Sequence, residues 1–423
     1  MKKINNIKGT KDILPIDSPT WIKTSEIIKN YFTKFGYNEI KTPIIEKAAL
    51  FLRSIGNETD ILGKEMYIWD DKNGEKIALR PELTAPVVRS FIQNNLANNN
   101  AITRLSYFDS AFRRERPQKG RQRQFYQFGI EAFGSKFPEQ DAEVIAIAYN
   151  IYKNFGIKDV TVKINSLGSL ESKNKFSIAI SKSLKPFKHM LTKIEQTKLE
   201  KNPMRLFDSK DKNTQSILKK HAPKMIDFIS IDDKNHFNDL QEILSKMNIP
   251  FVVHQGLVRG LDYYTRTAFE IVSQSIGAQD ALCGGGRYDN LVESLGGKST
   301  PAVGFAAGFE RLLLLLNKKN KKTTIDIYLI LIGEKTIPLG YKLATDLRNN
   351  LSNLKIVTET CRRSLKSQIK YANQLNARHT IIIGENELMK KEAQIKNMTN
   401  GEQANINLEH IVDYLKEKIN ETQ

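Results

Sequence analysis

Apolar positions recur along the chain with two periods. Ser18 and Pro19 supply a helix N-cap and a first-turn proline, and Trp21, Ile28, Tyr31, Phe32 and Phe35 follow at helical spacing until Gly36, predicting an amphipathic helix. Asn38 to Ile45 then reads as extended, and Pro43, which has no N–H for a ladder, places it at a sheet edge or an interface. Between 104 and 134 the runs RLSYFDSAFRRE and QFYQFGIEAFG flank the polar RPQKGRQR, which predicts a long antiparallel hairpin. A helix over 141–155 and a strand over 158–165 follow. From about 170 to 250 the sequence becomes aromatic-poor and helix-forming, with 16 Lys+Arg against 10 Asp+Glu, predicting a separate helical insertion. β and Gly-rich patterns resume at Pro250, and NKKNKKTT (317–324) reads as a linker. Beyond it IDIYLILIG, LKIVTET and RHTIIIG alternate with helices, one capped by Ser364 with Leu365, Ile369, Ala372 and Leu375 inward. A last helix, Leu408 to Ile419, closes what reads as a small α/β domain.

Composition narrows the class. A chain of 423 residues, 40% apolar and 26% charged, is globular rather than disordered, collagenous or fibrous. Its 65 Lys+Arg against 47 Asp+Glu favour an anionic partner, nucleic acid first, although a generally Lys-rich composition explains the excess equally well. Cys283 and Cys361 are far apart, so neither a disulfide framework nor a paired-cysteine metal knuckle is available, and a reducing cytoplasm is expected. The six histidines are too scattered for a zinc site of the HExxH kind. The opening MKKINNIKGTKDILP has no apolar signal core, and the longest aliphatic run, Leu312 to Leu316, is too short to span a bilayer, so neither secretion nor membrane insertion is expected.

The chemistry concentrates in four stretches. Six cations and one acid, Glu115, lie between Arg113 and Arg123, a density better spent on phosphates than on solvent. On the return strand the period of two puts Phe125, Gln127, Gly129, Glu131 and Phe133 on one face. Polar groups on an aromatic, half-buried face need partners, which a polar ligand lying on the sheet would provide. LVRGLDYYTRTAFEIV (257–272) joins Arg259 to Tyr263, Tyr264 and Arg266, which suits a ligand with a ring and an anionic group and equally a plain core. Gly284 to Gly286 would let backbone approach a ligand, whereas Val292 rules out a Walker A reading of the following GGKST. After a small-residue strand (Ala302 to Gly308), Arg311 stands in the first turns of a helix. A cation there opposes the helix dipole, and a bound anion would explain it.

The FRRE of Phe112 to Glu115 with Gln127 and Glu131 on the return strand, the Pro43 strand after a long helix, and the Gly-Phe-Glu-Arg ending at Arg311 resemble the three signature motifs of class II aminoacyl-tRNA synthetases. KGTKDILP, LRPELTAP (79–86), RRERPQKGR (113–121), LVRGLDYYTRTAFE and GGGRYD are similar, in colinear order over the whole chain, to the histidyl-tRNA synthetase family. The resemblance implies an α+β catalytic domain, a six-stranded antiparallel sheet flanked by helices, over 1–168 and 250–320. A helical insertion over 169–249 would interrupt it, and an α/β anticodon-binding domain over 325–423 would follow. The Pro43 segment would then lie in a homodimer interface. It also implies histidine–tRNA ligation: histidine and ATP form histidyl-adenylate, and the 3′ end of the tRNA takes the histidyl group.

Residue roles come with the same resemblance. Arg113 and Arg259 would clamp the α-phosphate as the catalytic pair. Arg311 would lie over adenine and reach the γ-phosphate, with Phe125 on the opposite face and Glu115 nearby. Glu82, Thr84 and Gln127 would hold the histidine α-amino group. Glu131 and Tyr264 would take the two imidazole nitrogens, with Tyr263 and Tyr288 lining the pocket. Gln118, Arg121 and Arg123 would meet the tRNA acceptor end. Mg²⁺ would bridge the ATP phosphates, with no zinc and no metal ligand assigned among the side chains. One departure is Leu83, where the family often has Gly. The 14 Lys+Arg against 12 Asp+Glu of 325–423 do not argue RNA binding by charge, so that contact rests on the resemblance. The competing reading is a catalytically silent, histidine-sensing paralogue that regulates an ATP phosphoribosyltransferase. Such proteins usually lack the terminal domain and lose phosphate-binding arginines, both retained here. A glutamate at 131 paired structurally with Arg266 or another basic side chain is the bland alternative to imidazole recognition.

Overall fold

The computed structural model describes residues 3–55, 65–98, 100–118, 120–258, 263–276, 281–316, 324–351 and 353–420. The chain divides into two compact units, Met1–Leu14 with Ser18–Lys318, and Lys319–Gln423 with Pro15–Asp17. Arg259, Lys119 and nearly all of the 317–324 segment lie outside the described residues.

The larger unit is built on an eight-stranded mixed sheet. Its centre is six antiparallel strands in the order Thr103–Phe112, Gln124–Phe133, Ala302–Gly308, Ala281–Arg287, Thr265–Ser273 and Val160–Ser166. Two short edge pieces complete it, Asn38–Glu39 parallel to Thr103–Phe112 and Phe251–Val253 parallel to Val160–Ser166. The expected six strands are therefore the antiparallel core of a larger sheet. Pieces of two and three residues carry no readable alternation.

The two faces of this sheet differ in kind. Even positions of the hairpin's return strand, Phe128, Ile130 and Ala132, pack with Ile28 and Phe32 of the helix Ser18–Thr33 and with the helix Pro138–Asn154 in one core. Odd positions turn toward a second core containing Leu83, Val88, Tyr107, Tyr263, Tyr264 and Tyr288. A strand buried on both faces, one aliphatic and one polar-aromatic, locates the site on the second.

Beside the large sheet, Ile45–Lys47, Lys76–Leu79 and Tyr67–Asp70 form a three-stranded sheet with Lys76–Leu79 central. Pro43 sits between the two edge pieces Asn38–Glu39 and Ile45–Lys47, and Ile44 and Ile45 next to it are 42% and 51% exposed. The fully buried Arg80 ties this segment to the hairpin. It donates to the Thr42 carbonyl (2.7 Å) and the Ser110 carbonyl (2.8 Å) and pairs with Asp109 at 2.7 Å.

Within 170–229 the helices Leu170–Leu184, Lys193–Lys201 and Lys212–His221 enclose a core of their own around Phe176, Ile180, Leu199 and Leu218. Their starts follow from capping: Ser169, Thr192 and Asp211 each accept the backbone N–H three residues on. The next helix, Ile231–Lys246, instead packs Phe237, Leu240 and Leu244 into the first core of the sheet.

In the smaller unit three parallel strands, Ile356–Thr358, Ile327–Leu331 and His379–Ile383, continue into two antiparallel ones, Glu392–Asn397 and Gln403–Asn407. The last helix is Ile411–Asn420. In the helix Leu365–Gln374 the expected inward Ala372 is fully buried and Ile369 and Leu375 pack against the same core, but Leu365 is 42% exposed and its place is taken by the fully buried Gln368, whose amide bonds both the N–H and the carbonyl of Leu331. The polar side chain is satisfied by a strand end, so the helix turns away from the simple apolar pattern.

Candidate active site

Strand register assembles the site. Gln127 lies across from Gly308 and Glu131 across from Gly304, while on the other side Tyr107 lies across from Gly129. Of these, Gln127 and Gly308 border a cavity of about 290 Å³, together with the RPELT turn, the Tyr263–Tyr264 pair and the helix Phe309–Leu316. Of the residues singled out in the sequence, Glu82, Thr84, Arg113, Glu115, Arg121, Phe125, Gln127, Tyr263, Tyr264 and Arg311 line it.

One part of the lining is cationic and aromatic. The Arg113 guanidinium stands over the Phe125 ring, 5.2 Å from its centroid, and its Nε donates to the Pro81 carbonyl at 2.9 Å. Glu115 bridges Arg121 at 2.9 Å and Arg113 at 3.7 Å. Arg311 donates to the Ala281 carbonyl and, at 3.4 Å, to the Gly120 carbonyl. Burial pushes its pKa down, and the neighbouring Arg121 and Arg113 push the same way, so an anionic ligand would relieve a real repulsion.

The opposite part is tyrosine-rich. Tyr263 and Tyr264 pack with ring centroids 4.7 Å apart. The Tyr263 hydroxyl and Gln127 Oε1 are buried and meet no hydrogen-bond partner among the described residues. Polar atoms left so at a cavity wall mark where a polar ligand is held.

Glu82 does more than line. Its carboxylate accepts the N–H groups of Thr84 (2.6 Å) and Ala85 (2.9 Å) and so caps the helix Thr84–Gln93. Burial raises its pKa, against the pull of these two bonds. Leu83 has ordinary helical backbone angles and is buried in the second core, so its bulk is absorbed without distorting the turn.

Glu131 and Tyr288 are not in the lining but one hydrogen bond behind it. The Glu131 carboxyl is fully buried and is met by three hydroxyls: Thr84 at 2.7 Å, Tyr107 at 3.2 Å and Tyr288 at 2.5 Å. Burial raises its pKa to about 8, the Tyr288, Thr84 and Tyr107 hydroxyls, where they donate, work the other way, and the Glu82 charge adds to the rise. The salt-bridge alternative fails, because Arg266 pairs with Asp232 and with Asp233 at 2.8 Å and among the described residues no other cation pairs with Glu131.

The reading of the Gly284 to Gly286 run changes. Of the three consecutive glycines only Gly284 borders the cavity. Gly286 has φ +155°, and a Cβ there would come within 2.9 Å of the Tyr264 ring, so it serves strand packing around that tyrosine rather than a ligand. Gln118 is exposed at the hairpin tip, its N–H donating to the Arg121 carbonyl at 3.1 Å. Arg123 holds the chain's opening segment in place: its N–H donates to the Gly9 carbonyl at 2.6 Å, and its own carbonyl accepts from Arg113. Gly9 has φ +91°, and a Cβ there would press on Pro117 and Arg123.

Sequence reasoning missed Tyr107, Arg80, Glu270 and Glu310. Glu270 and Glu310 border the cavity. Glu310 accepts the Tyr126 N–H with both oxygens (2.9 and 3.1 Å), and burial lifts its pKa to about 7. Only the hairpin register, which puts Tyr107 and Glu131 on adjacent strands, could have singled out the tyrosine.

The match to the family model described as histidyl-tRNA synthetase spans residues 9–312. The chain belongs to the histidyl-tRNA synthetase family. A second model, described as an anticodon binding domain, matches residues 326–418. Among curated relatives, histidine–tRNA ligase of Chloroherpeton thalassium is 43% identical over 415 residues, covering 96% of each chain. That of Clostridioides difficile is 43% identical over 418 residues, covering 97% of this chain and 99% of the relative. Among solved structures, apo histidyl-tRNA synthetase of S. aureus matches with a TM-score of 0.81 at 36% identity, over 98% of this chain and 100% of that one. A Bacillus halodurans protein described as an ATP phosphoribosyltransferase regulatory subunit/histidyl-tRNA synthetase shares the fold, with a TM-score of 0.65 at 21% identity. Histidyl-tRNA synthetase membership accounts for an ATP-using, aminoacyl-tRNA ligase site in which cationic and tyrosine-rich linings meet.

Proposed function

We propose that this cavity activates L-histidine with ATP and that the chain then passes the histidyl group to the 3′ end of its tRNA. The observation that carries the reading is the sharing of one cavity by Arg113, Phe125 and Arg311 on one side and by Tyr263, Tyr264 and the unpartnered Gln127 Oε1 on the other. The histidine carboxylate attacks the α-phosphate of ATP and pyrophosphate leaves, a displacement that needs positioned positive charge more than covalent help. Arg113 and Arg259 supply it at the α-phosphate. Arg311 covers adenine and extends to the γ-phosphate, Phe125 stacks on the opposite face, and Glu115 stands near the adenine, bridging Arg113 and Arg121. Glu82, Thr84 and Gln127 bind the α-amino group. Glu131 and Tyr264 read the imidazole nitrogens, and Tyr263 and Tyr288 shape the pocket. Pairing both ring nitrogens rejects apolar analogues, which would strand buried polar groups. Glu270 and Glu310 are oxygen donors of the kind Mg²⁺ takes, and the ion would neutralise phosphate charge when bound with ATP.

Gln118, Arg121 and Arg123 at the hairpin tip face the tRNA acceptor end in this reading, and 325–423 the anticodon. A homodimer closes over the exposed Ile44 and Ile45 beside Pro43, and the two free cysteines suit a reducing cytoplasm. Exchange of labelled pyrophosphate into ATP tests the function, since ligation requires it and a histidine sensor does not perform it. Exchange that appears only with histidine supports the reading, and histidine binding without exchange refutes it.

A further inference from the structure

The Tyr107 hydroxyl has one proton and two acceptors within reach. Glu131 Oε1 lies 3.2 Å away and the Phe305 backbone carbonyl 3.1 Å away. Thr84 and Tyr288 each bring one hydroxyl to Glu131, on opposite carboxyl oxygens. If Glu131 is ionised, Tyr107 must divide a single proton between a carboxylate and a carbonyl. If Glu131 carries a proton, the conflict disappears: the carboxyl donates to the tyrosine oxygen, and the tyrosine donates to the carbonyl. We propose that Tyr107 is a positioning residue that keeps Glu131 in its acid form in the histidine-free enzyme, as the middle member of a relay from the carboxyl to the Phe305 carbonyl.

The surroundings favour that form. Glu131 is fully buried, and among the described residues no cation lies within ion-pair distance of it. The titratable groups around it are Glu82 from the RPELT turn, Tyr107 from the outgoing hairpin strand, Tyr263 and Tyr264 from the LDYYT segment, and Tyr288 after the Gly-rich strand. Four of these are phenols and one is an acid, so none supplies positive charge to hold a carboxylate. The strand opposite contributes only Gly304, whose Cα comes so close that a Cβ would sit 1.7 Å from Glu131 Oε2. No water-sized space is left on that side for an alternative donor.

The consequence for recognition rests on the reading that this pocket takes an imidazole. In its acid form Glu131 can turn its one proton from the Tyr107 oxygen to the lone-pair nitrogen of a neutral histidine that displaces Thr84 from the carboxyl, and Tyr264 takes the ring N–H. Imidazolium has no lone pair to offer. Histidine affinity should therefore fall as pH drops through the imidazole pKa of about 6.5.

Infrared difference spectroscopy of the full chain tests the relay through the C=O stretch of a protonated carboxyl. The band belonging to Glu131 is the one that Glu131→Gln removes. The relay predicts that this band is present at neutral pH in the histidine-free wild type; its absence overturns the proposal without any change at Tyr107. The relay also predicts that Tyr107→Phe, by deleting the acceptor of the carboxyl proton, moves the midpoint of the band's pH titration down by about one unit, roughly tenfold in proton affinity. A midpoint that stays or moves up means that Tyr107 donates to a carboxylate and overturns the relay. Adding histidine separates the two claims. A band that responds to histidine supports both, whereas a correct Tyr107→Phe shift in a band indifferent to histidine keeps the relay and sinks the histidine reading.

Discussion

Replacing Glu131 by Gln should flatten the pH dependence of stability, and the size of the effect follows from where the carboxyl is buried. Its folded pKa is raised from 4.5 to about 8, chiefly by burial. Below about 4.5 both folded and unfolded chains hold the proton, and the group contributes its full stability. As pH rises above that, the unfolded chain loses the proton while the fold keeps it, so stability falls by about 1.36 kcal/mol per unit. The fall ends near pH 8, where the folded carboxyl also ionises. Across the window the loss is on the order of 5 kcal/mol, lessened by any relaxation of the pocket. Gln mimics the acid form in shape and cannot titrate, so the wild type minus variant difference should decline steadily from pH 4.5 to 8 and then level. Paired thermal melts at steps across this range read it directly, at roughly 2 °C per kcal/mol for a unit of this size. Taking the difference cancels the other titrating groups, which are common to both proteins. Parallel curves across the window would refute the argument, because they would mean that Glu131 is ionised in the fold at every pH where it is ionised in the unfolded chain.

Three further outcomes follow. Arg311→Ala should cut histidine-dependent pyrophosphate exchange by about 100-fold, the scale for losing one preorganised charge, while the histidine requirement changes little; unchanged exchange would remove Arg311 from the ATP site. Gly304→Ala should raise the histidine requirement strongly and leave the ATP requirement alone, because the new methyl must displace the Glu131 carboxyl and press on the Ile130 carbonyl of the same strand, and equal effects on both substrates would contradict this. At the hairpin tip, Gln118→Ala with the exposed Arg116→Ala should slow transfer to tRNA more than adenylate formation. A single-turnover assay distinguishes the two steps, and equal slowing would assign the tip to ATP.

Much of this site was legible in the sequence because the hairpin's alternation is strict. The odd positions Phe125, Gln127 and Glu131 occupy one face as the period requires, and Arg311 stands at its helix start beside other cations. Depth was not legible. Alternation gives the face of Glu131 but not that Thr84 separates it from the cavity. Gly286 could not be told from a ligand-approaching glycine without knowing that the Tyr264 ring fills the space above it. Tyr107 was hidden because a tyrosine in an apolar strand looks like core, and only register reveals its partner. In the fold, the extended reading of Asn38 to Ile45 anticipated the edge piece Asn38–Glu39, whereas Phe251–Val253 is too short to be read as a strand. The strands Glu392–Asn397 and Gln403–Asn407 were missed because EAQIKN and QANIN are polar edge sequences with weak alternation. The outward Leu365 and inward Gln368 show the same limit in a helix, where a satisfied amide took the place that periodicity assigns to an apolar side chain.

The central claim is that ATP and histidine meet in one cavity, each held by its own part of the lining. Pyrophosphate exchange measured at varied ATP and varied histidine, for Phe125→Ala and Gln127→Ala in parallel with the wild type, tests it most directly. Phe125→Ala should raise the ATP requirement and spare that for histidine, and Gln127→Ala should do the reverse. If both substitutions shift the same substrate, or neither shifts either, the cavity is not divided in this way and the assignment of its two parts is wrong.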